Sequence, residues 1–168
     1  MGNFQDLSGT EALEKMRKLI EAEDICLFTS QLGQLPLATR PMSTAQVDGY
    51  GNIWFMSVAG SEKNRDIQSD RRVQLFYANK SRSEYLSIYG EAIITMDKDK
   101  IEELWTPIAK VWFTEGKDDP RITLIRVRPL DVYYWDTKNN KIVSLIKMMG
   151  AVLTGETMDD GIQGEIHI

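Results

Sequence analysis

Hydrophobic residues near the start of the chain recur every three or four positions, the spacing of one face of an α-helix. The positions that follow this spacing are Leu13, Met16, Leu19 and Ile20. Just before them, Ser8-Gly9-Thr10-Glu11 places a hydroxyl three residues ahead of a carboxylate, which is typical of a capping box. The pattern predicts a helix over about residues 10–23, whose apolar stripe covers one end of a core.

Most of the later hydrophobic residues fall into short β-prone runs that end at turn residues. Six runs are predicted as strands: residues 25–30, 37–47, 53–58, 72–78, 85–95 and 121–136. The second and third runs flank Asp48-Gly49-Tyr50-Gly51-Asn52, a strong turn signal, and are expected to pair as a hairpin. Pro41 lies inside the second run, so that stretch must be an edge, a bulge or a place where a ligand replaces a neighbouring strand.

Short helices are predicted between the strands. Ser61 can cap one that runs to about Ser69, and Asp97 opens another that runs to about Trp105. A further short helical piece is expected over residues 108–113, before a loop at 115–120.

The C-terminal part of the chain is harder to interpret. A helix is predicted over about residues 141–154, with Gly155 as its stop, whereas residues 156–168 have no assignable pattern. The long run before this helix should be bent or interrupted near Pro129. Because the strands lack regular helical crossovers, the pattern favours a single, mainly β domain over residues 1–168, an antiparallel barrel of six strands with helices on its outside.

Composition and charge narrow the classes of function. The chain has 168 residues, and 20 Lys and Arg oppose 25 Asp and Glu, for a net charge of −5. This balance disfavours a general nucleic-acid-binding protein but allows a local basic pocket for one phosphate. A single cysteine, Cys26, and a single histidine, His167, leave no basis for a disulfide framework, a cysteine zinc site or a Ser-His-Asp triad. The chain shows neither an apolar run long enough to span a membrane nor a signal peptide, so we expect a cytoplasmic protein.

Two clusters of residues could bind an anion. Ser61 and Lys63 stand in the first turn of a predicted helix, where free backbone N–H groups favour a phosphate; the alternative is an ordinary capped helix with a solvated lysine. Arg40, in the middle of a semi-apolar strand, suits a phosphate or the edge of a planar ring, or else pairs with a surface carboxylate.

Two aromatic segments could contact a ligand. Alternation places Trp54 and Met56 on one strand face and Phe55 and Ser57 on the other; one face belongs to the core, and the other is either core or the wall of a flat pocket for an aromatic ring. The segment 133–136, Tyr-Tyr-Trp-Asp, fits a ligand contact, a subunit contact or a core contact equally well.

The order of these segments resembles the flavin-binding split barrel of the pyridoxamine 5′-phosphate oxidase family. Arg-Pro-Met at 40–42 is followed by Trp-Phe-Met-Ser at 54–57 and by Ser-x-Lys at 61–63. The similarity extends over roughly residues 10–155, and within the family the chain most resembles the general stress protein 26 group. The resemblance implies a six-stranded antiparallel split β-barrel that binds FMN at the interface of a homodimer.

The resemblance also implies which residues contact FMN. Arg40 and Lys63 would meet the phosphate with Ser61 beside them, the methionine-bearing segments would lie along the ring system and ribityl chain, and Trp135 would approach from the other subunit. The full set of expected contacts is Arg40, Pro41, Met42, Met56, Ser57, Ser61, Lys63 and Trp135.

Departures from the oxidase pattern bear on activity. Tyr85 stands where the oxidases have a glutamine that touches the flavin, residues 43–45 lack the lysine that holds the substrate phosphate, and residues 136–141 lack the Arg-x-His motif. We therefore expect an FMN-dependent oxidoreductase of unknown substrate that does not oxidise pyridoxamine phosphate. The alternatives are a flavin-binding carrier or sensor without turnover and a dimer that binds nothing; heme or a deazaflavin in place of FMN also stays open.

Overall fold

The computed structural model describes residues 3–4, 7–137 and 161–167. Its first helix, α1 (Gly9–Ala22), follows two short strands, β1 (Asn3–Phe4) and β2 (Leu7–Ser8). The helix buries the face predicted from the hydrophobic spacing, which includes Met16, Leu19 and Ile20. The sequence-based helix over residues 10–23 is therefore confirmed.

The remaining strands form one curled, mainly antiparallel sheet. They are β3 (Ile25–Ser30), β4 (Ala38–Ser43), β5 (Gln46–Val47), β6 (Ile53–Val58), β7 (Arg72–Asn79), β8 (Glu84–Thr95), β9 (Ile122–Thr137) and β10 (Gly161–His167). The main path of the sheet runs β1-β10-β9-β8-β7-β3-β4, while β2 pairs with β10, and β6 joins β5 to β9. This arrangement is a split barrel, as predicted.

The predicted count of six strands is wrong, because the main path of the described sheet has seven. The additional long strand is β10, which lies in the C-terminal tail and pairs with β9. The short N-terminal strands β1 and β2 each pair with β10 in parallel.

The predicted hairpin between residues 37–47 and 53–58 is only partly correct. The first run breaks into β4, which pairs with β3, and β5, which pairs with β6 over two residues. The hydrogen-bonded path of the described sheet ends at β4. Pro41 therefore lies on an edge strand, the position that suits a residue without a backbone N–H.

Two further helices flank the sheet, α2 (Glu62–Ser69) and α3 (Lys98–Leu104), followed by 3₁₀ turns at Pro107–Val111 and Gly116–Asp118. Asp97 caps α3 by accepting hydrogen bonds from the N–H groups of Asp99 and Lys100. Ser61 occupies the N-cap position of α2, but its hydroxyl does not cap the helix as predicted. The helix predicted over 141–154 lies outside the described residues.

A register shift interrupts the longest strand pair, β8 with β9, between Tyr89 and Gly90. Gly90 pairs with Pro129 at this point, so the irregularity predicted near Pro129 is present, although β9 continues through it.

Both faces of β6 are packed. Ile53 and Phe55 face the main core, where the rings of Phe28 and Phe55 meet edge to face at 5.4 Å. On the opposite face, Trp54 and Met56 pack in a second cluster against α3 and the first 3₁₀ turn. The alternation was predicted correctly, but neither face forms an open flat pocket for an aromatic ring.

Candidate functional site

Arg40 and Lys63, which are separated by 22 intervening positions in the chain, converge on one site. Arg40 projects from edge strand β4, and Lys63 lies in the first turn of α2. Burial, and then the positive charge of Arg40, lower the pKa of the Lys63 ammonium below its ordinary value. The second effect requires the two cations to be neighbours.

Arg40 is anchored on its inner side by a serine and a carboxylate. Its Nη1 donates a hydrogen bond to Ser30 Oγ at 2.6 Å, and its Nη2 lies 3.3 Å from Asp66 Oδ2. The Ser30 hydroxyl in turn donates to the same Asp66 oxygen at 2.6 Å. The three side chains close a triangle that fixes the plane of the guanidinium group.

Asp66 is a buried carboxylate, and its second oxygen accepts a hydrogen bond from Gln31 Nε2 at 2.6 Å. Gln31 adopts a positive φ of 53°, a conformation that non-glycine residues rarely take. The backbone thus turns sharply at the end of β3 to bring this side chain to Asp66.

Lys63 differs from Arg40 in its immediate surroundings. Within the part of the chain that the structure describes, no hydrogen bond or ion pair holds its half-buried ammonium group. The first N–H groups of α2 also have no acceptor within the helix. A site with an unpaired cation, a second cation beside it and exposed backbone donors suits a dianionic phosphate monoester.

A buried polar network holds this end of α2 against the sheet. Ser57 Oγ donates to Asn64 Oδ1 at 2.7 Å, and Asn64 Nδ2 donates to Thr123 Oγ1 at 2.9 Å. The Thr123 hydroxyl donates to the backbone carbonyl oxygen of Ser57 at 3.0 Å, which closes the network. Ser61, whose hydroxyl lies 3.3 Å from that of Ser57, stands at the rim of the network.

The remaining predicted contacts on β4 and β6 lie in different surroundings. Pro41 is exposed on the outer face of the edge strand, whereas Met42 is buried in the main core. Met56 is half-buried against the second cluster. Contact of these residues with a cofactor stays a prediction, and for Met42 it would have to come through the backbone because the side chain faces inward.

Trp135 is not brought to Arg40 within one chain. It lies on β9, and strands β8, β7 and β3 separate it from β4. Trp135 is 40% exposed, and its ring centroid lies 4.7 Å from that of Tyr133. Its register partner on β8 is Tyr85, which is also exposed.

Sequence reasoning missed Ser30, Gln31 and Asp66. Ser30 and Gln31 stand where a strand ends, without any motif. Asp66 carried a usable signal, because a residue three positions after Lys63 on a helix shares its face.

No cluster of His, Cys, Asp and Glu suited to a metal ion occurs among the described residues. None of the helices in the described part of the chain is long and apolar enough to cross a membrane.

The fold agrees with comparisons to known proteins. The family profile described as "Pyridoxamine 5'-phosphate oxidase like" matches residues 11–159. A crystal structure described as a general stress protein 26 from Jannaschia sp. CCS1 superposes with a TM-score of 0.80 at 24% identity, covering 95% of this chain and 100% of the other. The general stress FMN/FAD binding protein of Xanthomonas citri gives a TM-score of 0.67 at 25% identity, covering 79% and 93%.

A curated relative is also found by sequence. Protein bli-3 of Neurospora crassa is 26% identical over 129 residues, which span 71% of this chain and 62% of that protein. The match therefore covers less than two thirds of the relative.

Because the family profile spans most of the chain, the protein belongs to the pyridoxamine 5′-phosphate oxidase-like family. Its fold is that of the general stress protein 26 structures.

Proposed function

We propose that this protein binds FMN and acts as a flavin-dependent oxidoreductase. The observation that carries the proposal is the half-buried Lys63 ammonium, which lies beside Arg40 and has no partner among the described residues. Keeping two cations together without a full set of counter-ions is unfavourable unless a ligand supplies negative charge. The terminal phosphate of FMN, a dianion on a flexible ribityl chain, meets that need.

The comparisons support a flavin as the ligand. The Xanthomonas citri structure with the same fold is described as FMN/FAD binding. FMN fits this site better than FAD because its phosphate is a monoester with two negative charges, and the site offers two cations and the N-terminus of a helix.

We further propose that the functional unit is a homodimer with the cofactor at its interface. An outer-face patch of exposed apolar residues crosses the sheet: Ile25, Leu27, Phe76, Tyr85 and Trp135. Leu27 is in register with both Phe76 and Pro41, and Tyr85 with Trp135, so the patch begins beside the strand that carries Arg40. Phe76 and Tyr85 lie on paired strands, two positions apart in register. A group of exposed apolar residues on one face of a sheet is typical of an interface. A second copy seated on it brings its own Trp135 towards the cofactor of the first.

A bound flavin would supply the capacity to accept or donate a hydride. The residues of this chain bind and orient: Arg40 and Lys63 hold the phosphate, and the Ser57-Asn64-Thr123 network fixes the helix that carries Lys63. The histidine, His167, lies on β10 with its side chain 59% exposed and within 3.5 Å of Glu165. We therefore propose chemistry that needs no histidine base, on a substrate other than pyridoxamine phosphate.

The test is an absorbance spectrum of the purified protein and a titration of the flavin-free protein with FMN. We expect flavin bands in the wild-type protein and at least a hundredfold loss of FMN affinity in the double variant Arg40→Gln/Lys63→Gln. The matched control, Lys117→Gln/Arg128→Gln, removes two exposed cations elsewhere and should bind FMN normally. A colourless wild-type protein that ignores added FMN refutes the proposal.

Turnover decides between an enzyme and a carrier. Oxidation of reduced nicotinamide cofactor by the FMN-loaded protein, above the rate of free FMN, supports an oxidoreductase. FMN binding without any such turnover leaves the carrier or sensor.

A further inference from the structure

Asp66 occupies a position that the proposed function does not use. It is 5% exposed, it lies on the same face of α2 as Lys63, and it contacts Arg40. A carboxylate beside a site for a dianion opposes binding of that dianion, so its presence needs an explanation of its own.

The contacts of Asp66 show what it does in the flavin-free protein. It is the one described carboxylate within ion-pair distance of either cation of the site, and it reaches Arg40 but not Lys63. Hydrogen bonds from Ser30 and Gln31, together with Arg40, stabilise its buried charge. Without it, neither half-buried cation of the site would have a described carboxylate within ion-pair distance.

We propose that Asp66 is the internal counter-ion of the phosphate site: it holds Arg40 in the flavin-free protein and competes with the phosphate for that guanidinium. This inference rests on the proposed function. When FMN binds, its phosphate replaces the Asp66 carboxylate as the anion that contacts Arg40. Asp66 therefore lowers the affinity for FMN but stabilises the folded protein when the site is empty.

In the opposite role, Asp66 would strengthen FMN binding by orienting Arg40. This effect on affinity is smaller than the repulsion between Asp66 and the phosphate. Fixing one long side chain in a single rotamer improves affinity by at most about tenfold. A full negative charge a few ångströms from a dianion, in a half-buried site, opposes binding by more than that. The anchoring of Arg40 is also not lost entirely in the variant Asp66→Asn, since the introduced amide oxygen and Ser30 Oγ remain acceptors for the guanidinium.

The proposal is tested by measuring the affinities of the flavin-free protein for FMN and for riboflavin, which lacks the phosphate. We expect Asp66→Asn to tighten FMN binding by about tenfold and to leave riboflavin affinity unchanged. The flavin-free variant should also unfold at lower urea concentration than the wild-type protein, and FMN should restore most of the difference.

The matched control is Asp48→Asn, which removes the same charge from a partly buried carboxylate at the other end of β6. It should leave the ratio of FMN to riboflavin affinity unchanged. If Asp66→Asn does not fold, Asp66→Ser serves instead, because it also removes the carboxylate while keeping Arg40 and offering a hydroxyl to the guanidinium. Asp66→Ser should likewise bind FMN more tightly than the wild-type protein and leave riboflavin affinity unchanged.

Unchanged or weaker FMN binding in the Asp66 variants, with a wild-type protein that binds FMN, overturns this inference and leaves the proposed function standing. A wild-type protein that binds no flavin refutes both. Tighter binding of FMN and riboflavin alike also overturns it, because the effect would then not act on the phosphate.

Discussion

A Cβ atom on Gly90 would collide with the carbonyl oxygen of Arg128 on the paired strand and lie 3.1 Å from the carbonyl carbon. That carbonyl belongs to the backbone of β9 and cannot move aside as a flexible side chain would. The register shift between β8 and β9 therefore depends on the absence of a side chain at residue 90.

Gly90→Ala should lower the free energy of unfolding by at least about 2 kcal/mol, because the strands must separate locally to admit the methyl group. Urea unfolding followed by tryptophan fluorescence measures the change. Gly49→Ala is the control, since an added Cβ there meets nothing within 4 Å. If Gly90→Ala lowers the free energy of unfolding by less than Gly49→Ala does, the strands rearrange freely to admit the methyl group.

The Asp119 carboxylate should make the folding stability of the protein depend on pH in the acid range. Hydrogen bonds from Arg121 lower the pKa of the Asp119 carboxyl to about 2, against the opposing effect of burial. Because the folded pKa is below the unfolded value of about 3.9, the contribution is complete above pH 4 and is lost as the pH falls towards 2. The difference in urea midpoint between the wild-type protein and Asp119→Asn should be constant from pH 7 to 5 and shrink below about pH 4. A difference that persists unchanged at pH 2.5 would contradict this.

Cys26 should be inert in the native protein. Burial raises the pKa of its thiol to about 12, even though a hydrogen bond with Tyr77 acts the other way. Almost no thiolate exists at pH 8, and reagents cannot reach the side chain. Labelling with a thiol-reactive dye should be absent in buffer and reach one group per chain in denaturant. The positive control is Ser69→Cys at the exposed end of α2, which should label within minutes.

The outer-face patch should hold the proposed homodimer together. Phe76→Glu places a charge at the centre of the patch, next to Leu27, and should convert a dimer of 19.2 kDa chains into monomers with loss of FMN binding. Sedimentation velocity measures the mass. Val111→Glu, at an apolar residue that is 71% exposed elsewhere, is the control and should remain dimeric. A wild-type monomer at micromolar concentration would count against the shared site.

Lys63→Met should stabilise the flavin-free protein while abolishing FMN binding. The substitution keeps the apolar stem and removes a charge that burial and Arg40 both disfavour. Solvent screening at this half-exposed position keeps the gain to a few tenths of a kcal/mol. Because the folded pKa of Lys63 lies below the unfolded one, the wild-type protein should recover the difference as the pH rises towards the unfolded value of about 10.4. A variant that is less stable at pH 7 would show that the ammonium has a favourable partner.

The strands and the cations could be predicted from sequence because their signals are local. Short β-prone runs predicted the six long strands from β3 to β9, and the resemblance carried by Arg-Pro-Met and Ser-x-Lys marked Arg40 and Lys63 as candidates for one site. Strand β10 was missed although Ile162 and Ile166 lie on one face of it. Two glycines, Gly161 and Gly164, interrupt that segment and weaken its β signal.

The inner side of the site could not be predicted because it depends on burial. The spacing of Asp66 from Lys63 puts both residues on one helix face, but only the packing of α2 against β3 shows that Asp66 is buried against Ser30 and Arg40. The break between β4 and β5 was missed because the two halves of the predicted run pair with different strands, β4 with β3 and β5 with β6.

The bridge from Ser57 through Asn64 to Thr123 has a consequence for evolution. It fastens the cation-bearing helix to two paired strands of the sheet, not to the connecting loops. Insertions and deletions around the opening can accumulate without disturbing the anchorage. Under the proposed function, substrates can therefore change within a lineage while the helix that carries Lys63 keeps its place on the sheet.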